Sequence, residues 1–195
     1  DVGSSNLMET ATRFKFNTSF DFSDFVMAKS NFQLTGESGD LAWAAIGQSK
    51  DTVSPLHMAM IAGAIANDGV MMTPKLFLKS TDSSGNTIET ENSSVYATIM
   101  ERQEAFQMQT IMYGVVNSGT GKSAAISGLK VGGKTGTAEV VSDNSKKPNA
   151  WFVAFIGDSS HPLAIAVVLE NAGTGGSKAA PIAKKVFQKA ISLGY

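Results

Sequence analysis

The sequence predicts an α/β fold of the α+β kind, with an antiparallel sheet held between helical layers. Three observations carry that expectation. Residues 150–156 (Ala-Trp-Phe-Val-Ala-Phe-Ile) and 163–169 (Leu-Ala-Ile-Ala-Val-Val-Leu) are apolar at consecutive positions, so each strand needs cover on both faces. The turns before each of them, 142–148 and 157–162, are too short for the helical crossover that parallel strands require. Two helices are available as covers, one after Ser54 and one at the C-terminal end.

Taken in order, residues 7–16 place Leu7, Met8, Ala11 and Phe14 at helical spacing, with Ser4, Ser5 or Asn6 as the cap. Residues 17–40 are rich in Ser, Thr, Asp and Glu and read as an irregular surface segment anchored by Phe20, Phe22, Phe25 and Phe32. Residues 41–46 (Leu-Ala-Trp-Ala-Ala-Ile) are a short apolar run closed by Gly47-Gln48. Ser54-Pro55 then opens a helix, with serine at the cap and proline in the first turn. Its residues 56–66 are apolar on nearly every side, which predicts a buried helix, and Asn67-Asp68-Gly69 ends it. His57 lies inside it as a hydrogen-bonded core histidine. The other histidine, His161, falls in a turn before Pro162, so no histidine metal site or triad can be assembled.

Residues 75–80 and 87–90 read as short strands around the turn 82–86. A further helix places Met108, Ile111, Met112, Val115 and Val116 at i, i+3, i+4, i+7 and i+8, the pattern of a core stripe. Residues 130–141 form the first strand of the sheet. On the C-terminal helix Ile182, Val186, Phe187, Ala190 and Ile191 make the apolar stripe, with Lys184, Lys185 and Lys189 off it.

Composition narrows the function classes. Of 195 residues, 43% are hydrophobic and 17% charged, which suits one globular domain or a large piece of one. The net charge of −1 gives no electrostatic footprint for nucleic acid. The chain has no cysteine, which excludes thiolate catalysis, cysteine zinc sites and disulfides. No apolar run approaches the ~18 residues of a spanning helix. The opening Asp1-Val2-Gly3 reads as the start of a piece cut from something longer.

The chemistry concentrates in Gly128-Leu-Lys-Val-Gly-Gly-Lys-Thr-Gly-Thr-Ala-Glu-Val-Val141. Gly128, Gly133, Lys134 and Thr135 satisfy G-x-x-x-x-G-K-[ST], a phosphate loop, and residues 153–158 end an apolar strand in Asp158 as a magnesium partner would. A phosphate loop must open directly into a helix, whose amides hold the phosphates. After Thr135 the chain continues as strand into a polar turn, so this nucleotide reading is the remote one. The alternative is an active-site edge strand. Its backbone would pair with an extended substrate, glycines 132, 133 and 136 would permit close approach, and Lys134 with Thr135 and Thr137 would receive a carboxylate. The N–H of Thr137 would face a developing oxyanion.

The same stretch closely resembles the third-motif strand of penicillin-binding proteins. Asn149-Ala-Trp-Phe-Val-Ala-Phe155 is similar to the strand that follows it. Ala45-Ile-Gly-Gln48, Ser54-Pro-Leu-His-Met-Ala59, Ile65-Ala-Asn-Asp-Gly69 and Ser118-Gly-Thr-Gly121 resemble further family segments in family order. The chain is identified as a member of that family, resembling the C-terminal portion (residues 1–195) of a class B-like transpeptidase domain. The resemblance implies acyl transfer, in which a serine attacks the D-Ala-D-Ala end of a peptidoglycan stem peptide and β-lactams acylate the same serine. It implies Lys134 and Thr137 as catalytic residues and Thr135, Gly136 and Thr137 as substrate-binding residues, with no metal and no cofactor. Its implied partners are stem peptides, β-lactam antibiotics and the N-terminal part of the same domain, with no nucleic acid. The implied location is the outer face of the bacterial cytoplasmic membrane, with the anchor outside this chain.

Two departures stand against the resemblance. The only Ser-x-x-Lys match is Ser127-Gly-Leu-Lys130, which leads into the motif strand and cannot occupy the family's central helix. Ser4-Ser5-Asn6 matches Ser-x-Asn in form, but the helix that should follow it is missing. The expectation is therefore a piece without its nucleophile, inactive alone. A β-lactam-sensing receptor domain and a non-catalytic scaffold of the same fold remain open.

Overall fold

The computed structural model describes residues 2–22, 25–36, 39–48, 50–139 and 145–195. Three antiparallel strands form its central sheet in the order β5 (Val131–Ala138), β6 (Asn149–Ile156), β7 (Ala164–Leu169). The end of the expected first strand, Val140 and Val141, and residues 142–144 of the polar turn after it lie outside the described residues. The register sets Lys134 opposite Val153, Thr135 opposite Phe152, and Phe152 opposite Val167. One sheet face carries Ala150, Phe152 and Ala154 against helix α5 (Gly175–Ser192). The other carries Phe155 against helix α3 (Pro55–Ala66).

The antiparallel sheet between helices is thus as expected, but its cover is uneven. Trp151, Val153 and most of β7 are only half buried: α3 packs on Phe155 toward one end of its face, and β7 is the end strand of the three. The helix stripes also differ from expectation. On α5 the buried residues are Ala179, Ala180, Ala183 and Phe187, whereas Ile182 and Val186 are 36% and 47% exposed. Phe152 already fills the space above the sheet, so small alanines let the helix axis approach. Helix α4 (Arg102–Asn117) is likewise turned: it buries Ala105, Met112 and Val116 and leaves Met108 and Ile111 exposed. The side chain of Gln109 donates to the Ile65 carbonyl at 2.7 Å, so a polar residue belongs to the inward face.

The remaining elements are local. Helix α1 is Gly3–Arg13, and Ser4 to Asn6 lie inside it; the N-cap is Val2, with no side-chain cap bond. The cap assigned to them is therefore wrong, since the helix starts one turn earlier than its apolar spacing shows. The apolar run after Gly39 is helix α2 (Asp40–Ala45). Phe20 and Phe32 are buried and anchor the irregular segment as expected. Strand β1 (Val70–Met72) pairs with β4 (Val95–Thr98), a contact the sequence did not announce. The hairpin of β2 (Lys79–Thr81) and β3 (Thr87–Thr90) starts later than its expected first strand, at Lys79 rather than Lys75.

At the start of α3, Ser54 accepts the His57 N–H at 3.2 Å with Pro55 in the first turn. His57 is fully buried. Its Nε2 lies 2.9 Å from the Phe14 carbonyl, which can only accept, so Nε2 carries the proton and Nδ1 accepts the Ser30 hydroxyl at 2.8 Å. Burial holds the imidazole pKa below its ordinary value, and the bond to Phe14 opposes that only in part. A depressed folded-state pKa means that the unfolded chain takes up the proton first as pH drops. Stability that is complete above about pH 6.5 is then lost as pH falls through the folded-state value. Denaturant titrations between pH 7.5 and 5 are expected to show that decline, and His57→Gln to flatten it; an equal slope in the variant would assign it elsewhere.

Candidate active site

Strand β5 is paired with β6 on one side, and its other side is open among the described residues. Two side-chain bonds show which peptide groups face that opening. Lys134 Nζ donates to the Thr135 carbonyl at 2.7 Å, and Gln48 Nε2 donates to the Thr137 carbonyl at 3.0 Å. In an antiparallel strand the N–H and C=O of one residue point to the same side. The N–H groups of Thr135 and Thr137 therefore face the opening as well, where an extended ligand or an oxyanion could take them.

The pleat separates the motif side chains. Lys134 and Gly136 share the face of Val153 and Trp151, while Thr135 and Thr137 share the α5 face with Phe152 and Ala150. Thr135 is held there by a hydroxyl pair with Thr120, Oγ1 to Oγ1 2.7 Å. The expected lysine and hydroxyl cluster is thus a clamp around the strand edge: the amine comes from one face and the hydroxyls from the other. Lys134 and Thr137 are exposed, and Thr135 and Gly136 are half buried.

The glycines also serve the packing of the sheet. A Cβ on Gly132 would run into the Phe155 ring, one on Gly133 would sit 2.5 Å from Phe152 Cζ, and one on Gly136 would sit 3.0 Å from Trp151 Cβ. Side chains at these positions would point at the sheet faces, not along the open edge. The glycines make room for the aromatic rings of β6.

A cavity of about 630 Å³ lies on the lysine face, bounded by Lys134, Trp151 and Val153 on the sheet side and by Phe14, Phe32 and Gln48 opposite. It has the apolar body and few polar groups of a ligand cleft. Gln48 and Thr120 are the site residues whose roles the sequence left unassigned. They lie 89 and 15 residues from their partners, and no local pattern reports contacts of that range.

The phosphate-loop reading fails on this geometry. Lys134 and Thr135 lie inside an eight-residue strand, with no helix opening behind them. Asp158 accepts the Lys130 N–H at 2.8 Å and so ties the end of β6 to the start of β5. Ser127 to Lys130 also form a turn before β5, which makes the Ser-x-x-Lys match a coincidence, as read from the sequence. Among the described residues no group of three His, Cys, Asp or Glu side chains converges to hold a metal.

Comparison with known proteins agrees with this architecture. Residues 1–188 match the penicillin binding protein transpeptidase domain. Peptidoglycan D,D-transpeptidase PbpA of Mycolicibacterium smegmatis is 31% identical over 99% of this chain and 40% of its own length. Peptidoglycan D,D-transpeptidase MrdA of Haemophilus influenzae is 36% identical over 76% of this chain and 25% of its own. The imipenem acyl-enzyme complex of penicillin-binding protein A from M. tuberculosis superposes with a TM-score of 0.85 at 30% identity, covering 97% of this chain and 42% of that one. The chain spans well under half the length of these relatives. With its edge strand of Lys134, Thr135 and Thr137 set in this sheet, and matched along nearly its whole length, this chain belongs to the penicillin-binding protein transpeptidase domain family.

Proposed function

We propose that this chain is the C-terminal portion of a peptidoglycan D,D-transpeptidase domain and supplies one wall of a serine acyl-transfer site. The open edge of β5, with the Thr137 N–H turned outward between Lys134 and the two threonine hydroxyls, carries the reading. The nucleophilic serine and its activating lysine belong to an N-terminal part of the same domain that packs against this wall. In the reaction, the serine hydroxyl adds to the penultimate D-Ala carbonyl and the terminal D-Ala leaves. An amine of a neighbouring stem peptide then takes the acyl group and frees the serine.

Each motif residue has a role that its position allows. Lys134 attracts the substrate's terminal carboxylate and assists proton transfer. Thr135 and Thr137 hydrogen-bond that carboxylate, and Gly136 lets Trp151 pack close beneath the edge. The Thr137 N–H is one of the two donors to the oxyanion, worth roughly 3 kcal/mol of barrier. β-Lactams present the same carboxylate and a reactive carbonyl, and would enter the same cleft; the imipenem complex of the M. tuberculosis relative is an acyl-enzyme. The place of action is the outer face of the cytoplasmic membrane, where peptidoglycan is assembled. No helix of the described residues is long and apolar enough to cross a membrane.

Mass spectrometry after incubation with penicillin G tests the assignment. The full-length protein should gain one adduct mass, and this chain alone should keep its own mass. A stoichiometric gain on the isolated chain would place the nucleophile within it and defeat the division proposed.

A further inference from the structure

The open edge of β5 is not vacant. Two of its outward carbonyls are already taken: Thr135 by Lys134 Nζ at 2.7 Å and Thr137 by Gln48 Nε2 at 3.0 Å. An extended ligand that pairs with this edge needs such carbonyls as acceptors for its own N–H groups. Lys134 can release Thr135 when its amine turns to a carboxylate. Gln48 also lines the cleft, and its amide competes directly with the ligand for the Thr137 carbonyl.

The segment that holds Gln48 can yield. It follows Gly47, which sits at φ 75°, immediately after the six-residue helix α2. That helix buries Asp40 and Ala44, the latter in a small cluster with Ala11 and Phe32, but Leu41, Trp43 and Ile46 are 40%, 53% and 70% exposed, so moving the segment breaks few apolar contacts beyond that of Ala44. A weakly packed arm that bonds to an otherwise unpaired strand edge also protects that edge from pairing with a second chain.

We propose that Gln48 is a latch on the substrate-binding edge, a positioning residue whose amide must leave the Thr137 carbonyl before a ligand N–H can take it. This rests on the transpeptidase reading. The latch selects against ligands that need the Thr137 carbonyl and is indifferent to those that do not. Penicillin G carries a side-chain amide N–H able to take it. Imipenem, whose hydroxyethyl group has no amide, lacks one.

The test measures second-order acylation rates of the full-length protein with both drugs, before and after Gln48→Met, which keeps the length of the side chain without the donor. Gln48→Ala is the second variant. Removing the competing bond should raise the penicillin G to imipenem rate ratio about fivefold in both variants, through a lower half-saturating concentration of penicillin G and not a faster limiting rate. An unchanged ratio overturns the latch, and so does a parallel fall with both drugs, which would mean that Gln48 only braces the strand. If the unmodified full-length protein reacts with neither drug, the transpeptidase reading itself fails and the latch with it, an outcome recognisable without any variant.

Discussion

Replacing Lys134 with alanine in the full-length protein should slow β-lactam acylation by about 10²-fold or more while leaving the fold intact. The two halves of that expectation come from different observations. Lys134 is exposed, and among the described residues its amine bonds to the carbonyl of its own neighbour Thr135. Truncating such a side chain costs within about 0.5 kcal/mol of stability. The function lost is larger, because the amine sits at the mouth of the cleft beside the edge that would hold the substrate carboxylate. Lys134→Arg keeps the charge but replaces a compact donor with a planar fork, so it should recover binding better than proton transfer. Stopped-flow acylation beside thermal melts separates the effects. Full acylation rates in the alanine variant would remove Lys134 from the site, and a large loss of melting temperature would make its role structural.

The parts of this molecule that were legible in the sequence are those with local signals. Ser54-Pro55 marked the start of α3, consecutive apolar residues marked β6 and β7, and short turns fixed their antiparallel sense. The continuation of strand past Thr135 was enough to reject a phosphate loop. The misread faces share one cause. Apolar stripes were traced through large residues, yet Ala179, Ala180 and Ala183 on α5 and Ala105 on α4 are buried while Ile182, Val186, Met108 and Ile111 are exposed. A close-packed interface between a helix and a sheet bearing Phe152 selects for small size, which hydrophobic periodicity does not weigh. The packing role of the glycines was not legible for a related reason, since their neighbours on β6 are aromatic rings known only once the register is known. The pairing of β1 with β4 and the bonds of Thr120 and Gln48 are tertiary contacts between short or irregular segments, which carry no periodic signal of their own.

The same packing logic makes Gly175 the position whose substitution should damage the fold most. It opens α5 and is buried where the helix meets the sheet. A Cβ there would overlap the Trp151 carbonyl oxygen and lie 2.6 Å from that of Gly136. Both atoms are main chain in paired strands, at the register position where Gly136 faces Trp151. No side chain can swing aside, so either α5 or the edge strand must shift. Gly175→Ala is expected to destabilise by on the order of 3 kcal/mol, read as a lower urea midpoint at an unchanged slope. Gly114→Ala is the control of opposite sign. It lies inside α4 with no atom within 4 Å of its added methyl, so it should stabilise by about 0.5–1 kcal/mol. If Gly175→Ala leaves the midpoint in place, α5 does not rest on β5 and β6 as described. If it lowers the midpoint, acylation by the full-length protein should fall too, although every proposed catalytic group is still present, because the edge that aims the Thr137 N–H is held from behind by this helix.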